Sequence, residues 1–222
     1  MYRLTVVFVL LSALCLEAHE VSGTVEIIQK GDKKKTDLSS VIVYLDQIKA
    51  DPGIPEPDHK KTYEMSTKNK QFAPRSMVVP LGATVGFPNF DPIFHNIFSV
   101  SRPNDFDLGL YKGGASKSKI FESPGIVRVF CNVHPQMTAT IVVSNTSFHT
   151  HADKAGSFSL GLVPSGTFFL RAYAEEGQVS ERIEVKDVPL KMALTIDAKS
   201  FKKIPHKNKF GKDYSTSEDE RY

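Results

Sequence analysis

The chain has 222 residues, 41% of them hydrophobic, and a formal net charge of +3. That is globular composition with room for one large or two small domains, and so slight a positive excess gives no argument for nucleic-acid binding. Thirteen prolines, fourteen glycines and many short Val/Ile/Phe runs set the expectation of an all-β fold.

Residues 1–18 read as an export signal. Arg3 is the basic start, Leu4 to Leu16 the apolar core, and Ala18 a cleavage position. That core is short for a membrane span and no later stretch equals it, so no transmembrane segment is expected after cleavage. A lipoprotein at Cys15 is disfavoured by the bulky Leu14 before it. Cleavage removes Cys15 and leaves Cys131 as a lone thiol in an oxidising compartment, where it has no internal disulfide partner. Metal binding would protect that thiol; a buried, inert cysteine is the plainer alternative.

Two strands are expected next, Ser22 to Ile28 and Val41 to Leu45, separated by a Lys-rich turn. Two strands alone have no face to bury against, so their partners must lie elsewhere in the chain. Residues 50–70 are polar and proline-rich and read as a linker, with His59 solvated among lysines. From Phe72 the β pattern resumes: Met77 to Val79, a Pro80-Leu81-Gly82 turn, Ala83 to Phe87, a turn at Asn89 to Pro92, then Phe94 to Val100. Ser101 to Ser118 reads as irregular. Lys119 to Phe121 and Ile126 to Phe130 are expected to pair, and Thr138 to Val143 forms a last strand.

The final third alternates cleanly at Ser157 to Leu160, Thr167 to Tyr173, Arg182 to Val185 and Leu194 to Asp197, as half-wet antiparallel strands do. These supply the missing partners. The expected layout is a discontinuous sandwich from 19–49 plus 146–199, with a second β domain, 71–145, inserted between. A charged tail, 200–222, has five lysines followed by acidic residues and is expected to be disordered, with His206 carrying no role; a docking strip for an acidic partner is the other reading.

Within the inserted segment, Val129-Phe130-Cys131-Asn132-Val133-His134-Pro135-Gln136-Met137 places thiol, imidazole and thioether in one short loop, and Phe94-His95-Asn96 brings a second imidazole. Two His, one Cys and a weak Met are the donors of blue-copper sites. Singly, His95 reads as a core histidine and Met137 as packing; jointly they point to copper. Such a set leaves no open position for substrate, which argues against an enzyme. His149 and His151 share one strand face and read as exposed rather than as a second metal site. His19, at the expected mature N-terminus, lacks an identified second histidine for chelation. Phe87, Phe90, Phe94 and Phe98 read as core and site wall.

On these residues, Phe72 to Val143 resembles a cupredoxin of the plastocyanin and amicyanin group. The flanks, through S-G-T-V near Ser22, V-I-V-Y-L near Val41 and V-P-S-G-T-F-F-L-R-A-Y from Val163, resemble the carboxypeptidase regulatory-like, or transthyretin-like, sandwich. The combination is similar to bacterial secreted proteins labelled methylamine-utilisation or plastocyanin-like. The resemblance implies a Greek-key barrel with one type 1 copper, His95, Cys131 and His134 as equatorial ligands and Met137 as the axial one. It also implies that Asn96 ties the two ligand segments together. The expected role is an exported single-electron carrier, periplasmic or extracellular, with a protein redox partner. A copper carrier or store, or a structural, surface-binding module on the same scaffold, remain as the competing roles.

Overall fold

The computed structural model describes residues 18–48 and 61–214. The export signal, apart from Ala18, lies outside these residues, as do most of the expected linker, His59 and the acidic end of the tail. The described chain is all-β, and none of its helices is long and apolar enough to cross a membrane, for it has none of any length.

Strands from both ends of the chain build one core. Ala18–Gln29 lies between Ser157–Pro164, antiparallel, and Leu190–Ala198, parallel. The facing sheet runs His149–His151, Ile42–Gln47, Gly166–Ala174, Gly177–Val185. Val21, Val25, Ile27, Val43, Leu45, Phe168, Leu170, Leu194 and Ile196 fill the space between. The period-2 alternation of these strands puts one residue in two on that side and leaves the other wet.

Residues 63–144 build a second core around Phe87, Ile97, Phe121, Val129 and Ile141. Its larger sheet runs Phe106–Tyr111, His95–Ser99, Gly125–Cys131, Thr138–Ser144, Ser76–Pro80; the smaller runs Ser116–Ile120, Thr84–Pro88, Tyr63–Glu64. Two pairings differ from the sequence reading. Ser116–Ile120 pairs with Thr84–Pro88 and Gly125–Cys131 with Thr138–Ser144, so the pair expected across Pro124-Gly125 is split between sheets. Buried Phe121 anchors the crossing. The stretch read as irregular contains Phe106–Tyr111, whose register shift between Asp107 and Leu110 hides its alternation.

The linker expected to run to residue 70 already forms strand at Tyr63–Glu64 and Ser66–Lys68. Ser66–Lys68 turns back on Gln71–Ala73 through Asn69 and Lys70, both at positive φ, the backbone of a tight two-residue hairpin.

Thr138–Ser144 explains how the two cores meet. Ile141 and Val143 face the second core, while Val142 points the other way and packs with Val78 against Ile42 and Tyr44. Burial on both faces accounts for its continuous apolar run. In the described part of the tail, His206, Lys209 and Tyr214 meet the 130–137 loop through aromatic and hydrogen-bonding contacts.

Candidate metal centre

His95 opens the strand His95–Ser99 of the larger sheet, and Cys131 ends the neighbouring central strand, paired with Ile97. Chain direction alternates between these strands, so the end of one lies beside the start of the other. The loop after Cys131 then turns tightly. The Met137 N–H donates to the His134 carbonyl at 3.0 Å, and the Cys131 N–H to the Met137 carbonyl at 3.3 Å. His134 is thereby folded back over Cys131, and Met137 is buried beside it at 1% exposure.

The three donors converge. Cys131 Sγ lies 3.6 Å from His95 Nδ1 and 3.8 Å from His134 Nδ1, and the two Nδ1 atoms are 3.2 Å apart. A triangle with those sides has its centre about 2 Å from every corner, the length of a metal–imidazole or metal–thiolate bond. Among the described residues this is the one group of three or more His, Cys, Asp or Glu side chains gathered closely enough to hold an ion, and all three are buried.

Asp91 makes the arrangement chemically definite. Its Oδ2 accepts from His95 Nε2 at 2.8 Å, so the proton sits on Nε2 and the Nδ1 lone pair faces the sulfur and the other ring. A carboxylate behind a ligating imidazole fixes both tautomer and ring orientation. Burial pushes the Asp91 carboxyl upward, but the N–H groups of Lys70 and Asn69 and the His95 ring outweigh it and hold it below the ordinary range. Burial lowers the His95 imidazole against the opposing pull of Asp91, which keeps the ring neutral and able to ligate. Burial raises the Cys131 thiol, while backbone N–H groups of Val133, Asn96 and His134 pull it back. A cation in the triangle would complete what those N–H groups begin, because a coordinating thiol gives up its proton.

Asn96 joins the ligand segments through its backbone. Its carbonyl accepts from the Asn132 N–H at 2.8 Å and its N–H turns toward the Cys131 sulfur. Its side chain points elsewhere, donating to Asp107. Asp91 was missed from sequence; its signal was the acid four residues before His95 in an Asn-x-Asp turn. His149 and His151 lie exposed on a short strand, with His151 Nε2 3.1 Å from Ser76 Oγ, and join no metal group. His19 sits in the strand ladder opposite Val163. Phe87 and Phe98 are core as expected, but Phe90 and Phe94 are 62% and 44% exposed, because the turn holding Asp91 faces them outward.

No protein-family model and no curated protein matches the chain. Among solved structures it is similar to a copper-containing nitrite reductase from Thermus scotoductus SA-01, with 23% identity and TM-score 0.36, covering 37% of this chain and 22% of that one. It is also similar to a reduced Cu(I) amicyanin variant at pH 4, with 21% identity and TM-score 0.36, covering 37% of this chain and 82% of that one. A second reduced amicyanin variant gives 21% identity and TM-score 0.36 over 40% of this chain and 85% of that one. The chain thus spans about a fifth of the nitrite reductase and most of the amicyanins.

Proposed function

We propose that this chain is an exported type 1 copper protein that carries single electrons to or from a protein partner, and that it is not an enzyme. The observation that carries the reading is the buried His95–Cys131–His134 triangle with Asp91 behind one corner. When bound there, copper supplies a one-electron couple, and a site of two imidazoles, one thiolate and a weak thioether suits both of its oxidation states. In this reading His95, Cys131 and His134 would hold the ion, and Met137 would lend its thioether as a weak fourth donor.

The chain's own residues account for the rest. Burial of all three donors excludes water and any substrate. The two ladders bearing His95 and Cys131 are cross-linked by the Asn96–Asn132 bond, so the donors need not rearrange when charge changes. Exposed Phe90 and Phe94 flank Asp91 and His95 and offer the partner an apolar landing close to the ion. In this reading the architecture is a cupredoxin-type barrel inserted in a carboxypeptidase regulatory-like sandwich that serves as its mount.

Carrying electrons is separable from carrying metal. The copper-loaded protein should pass through repeated reduction and reoxidation with a chelator present and keep its copper. Loss of copper to the chelator on the first reduction would make the protein a copper carrier or store instead.

A further inference from the structure

The tail from 201 to 214 touches the ligand loop at Phe130, Cys131, Asn132 and Pro135. The Tyr214 hydroxyl donates to the Cys131 carbonyl at 2.9 Å. His206 stacks on Phe130, with ring centroids 4.2 Å apart, and its Nε2 donates to the Pro135 carbonyl at 2.7 Å. The Lys209 N–H donates to Asn132 Oδ1 at 2.9 Å, and its ammonium meets Asp107 at 2.7 Å. Tyr214 Oη and His206 Nδ1 lie 3.1 Å apart, joining the contacts to each other.

These anchors reach both ligand-bearing segments. Asn132 belongs to the Cys131 loop, and Asp107 accepts from the side chain of Asn96, next to His95. One short strap therefore spans the seam between the two halves of the triangle. Within the barrel the same seam is closed by the Asn96–Asn132 backbone bond. Hydrogen bonds to main-chain carbonyls of 131 and 135 restrain the loop itself, since they hold wherever its side chains move.

We infer that Tyr214, His206 and Lys209 are positioning residues that latch the 130–137 loop shut, so that the tail governs how fast the metal enters and leaves. The inference rests on the copper reading for the identity of the ion, but the latch acts on the loop whether or not an ion is present.

The test uses the full chain, Tyr214→Phe, and a chain ending at Ser200. In metal-free protein, amide hydrogen exchange at Asn132 and Met137 should speed up about tenfold in Tyr214→Phe, the order expected for one lost hydrogen bond, and further in the shortened chain. Exchange in Leu190–Ala198 should not change, which separates unlatching from global unfolding. In copper-loaded protein, loss of copper to a chelator should speed up in the same order, with a shift of the thiolate-to-copper band. Equal exchange and equal copper loss in all three proteins overturn the latch. A full chain that holds no copper, yet shows the exchange difference, sinks the copper reading and leaves the latch standing. Should the shortened chain fail to fold, Tyr214→Phe, which removes one hydroxyl, decides alone.

Discussion

Asp91 serves two structures with two oxygens. Oδ1 accepts from the Asn69 N–H, while Oδ2 accepts from the Lys70 N–H and from His95, so the same carboxylate braces a positive-φ turn and orients the His95 ring. Asp91→Asn keeps one oxygen and must surrender part of this set. Copper affinity should fall about 10–100-fold, the usual effect of losing a partner behind a metal-bound imidazole, and stability by about 1–3 kcal/mol. Competition against a chelator and thermal melting read the two effects separately. Unchanged affinity with lowered stability would reduce Asp91 to a brace for the turn. At this scale the donors were legible because Cys131, His134 and Met137 are close in sequence and of types that seldom share a short loop. Asp91 was not, since an acid in a turn has many ordinary uses and only the fold shows which ring it faces. Asn96 was expected to tie the two segments together, and it is its backbone carbonyl that meets the Asn132 N–H while its side chain turns to Asp107.

Elements carry these residues, and the turn at 112–115 packs against the turn that holds Asp91, with the Gly114 N–H donating to the Asn89 carbonyl. A Cβ at Gly113 would lie 2.2 Å from the Asp91 carbonyl oxygen and 3.3 Å from Pro92 Cα. Both contacts are backbone, so the main chain itself must move. Gly113→Ala should destabilise the protein by about 1–3 kcal/mol, as overpacking does, and weaken copper binding through the displaced carboxylate. Denaturant unfolding and copper competition measure both; a loss of stability with copper binding intact would show that the turn and the site are independent. Strands were readable wherever one face is wet, as in Gly166–Ala174 and Leu190–Ala198. Phe106–Tyr111 was not, because its register slips at a glycine with positive φ, Gly109. Sheet membership was less legible than strand position: the turns at Pro80-Leu81-Gly82 and Phe121 pass between sheets, and a turn motif says only that the chain reverses.

For the whole molecule, the two cores share a small apolar seam of Ile42, Tyr44, Val78 and Val142, and the tail meets the ligand loop at Phe130, Cys131, Asn132 and Pro135. Val25 and Val43 from the first described segment share one core with Phe168 and Leu194 from the last third. The tail's contacts were not legible because its lysines describe a solvated segment, and its docking depends on single side chains, His206 and Tyr214, that composition does not weigh. Two ladders, a tight loop and the strap all converge on one claim, that Cys131 and the two imidazoles jointly hold a copper ion. Titrating purified metal-free protein with Cu(II) while recording the visible spectrum tests it most directly. The account predicts an intense thiolate-to-copper band that saturates at one ion per chain and is absent in Cys131→Ser. A colourless complex, or a band that survives that substitution, would contradict it.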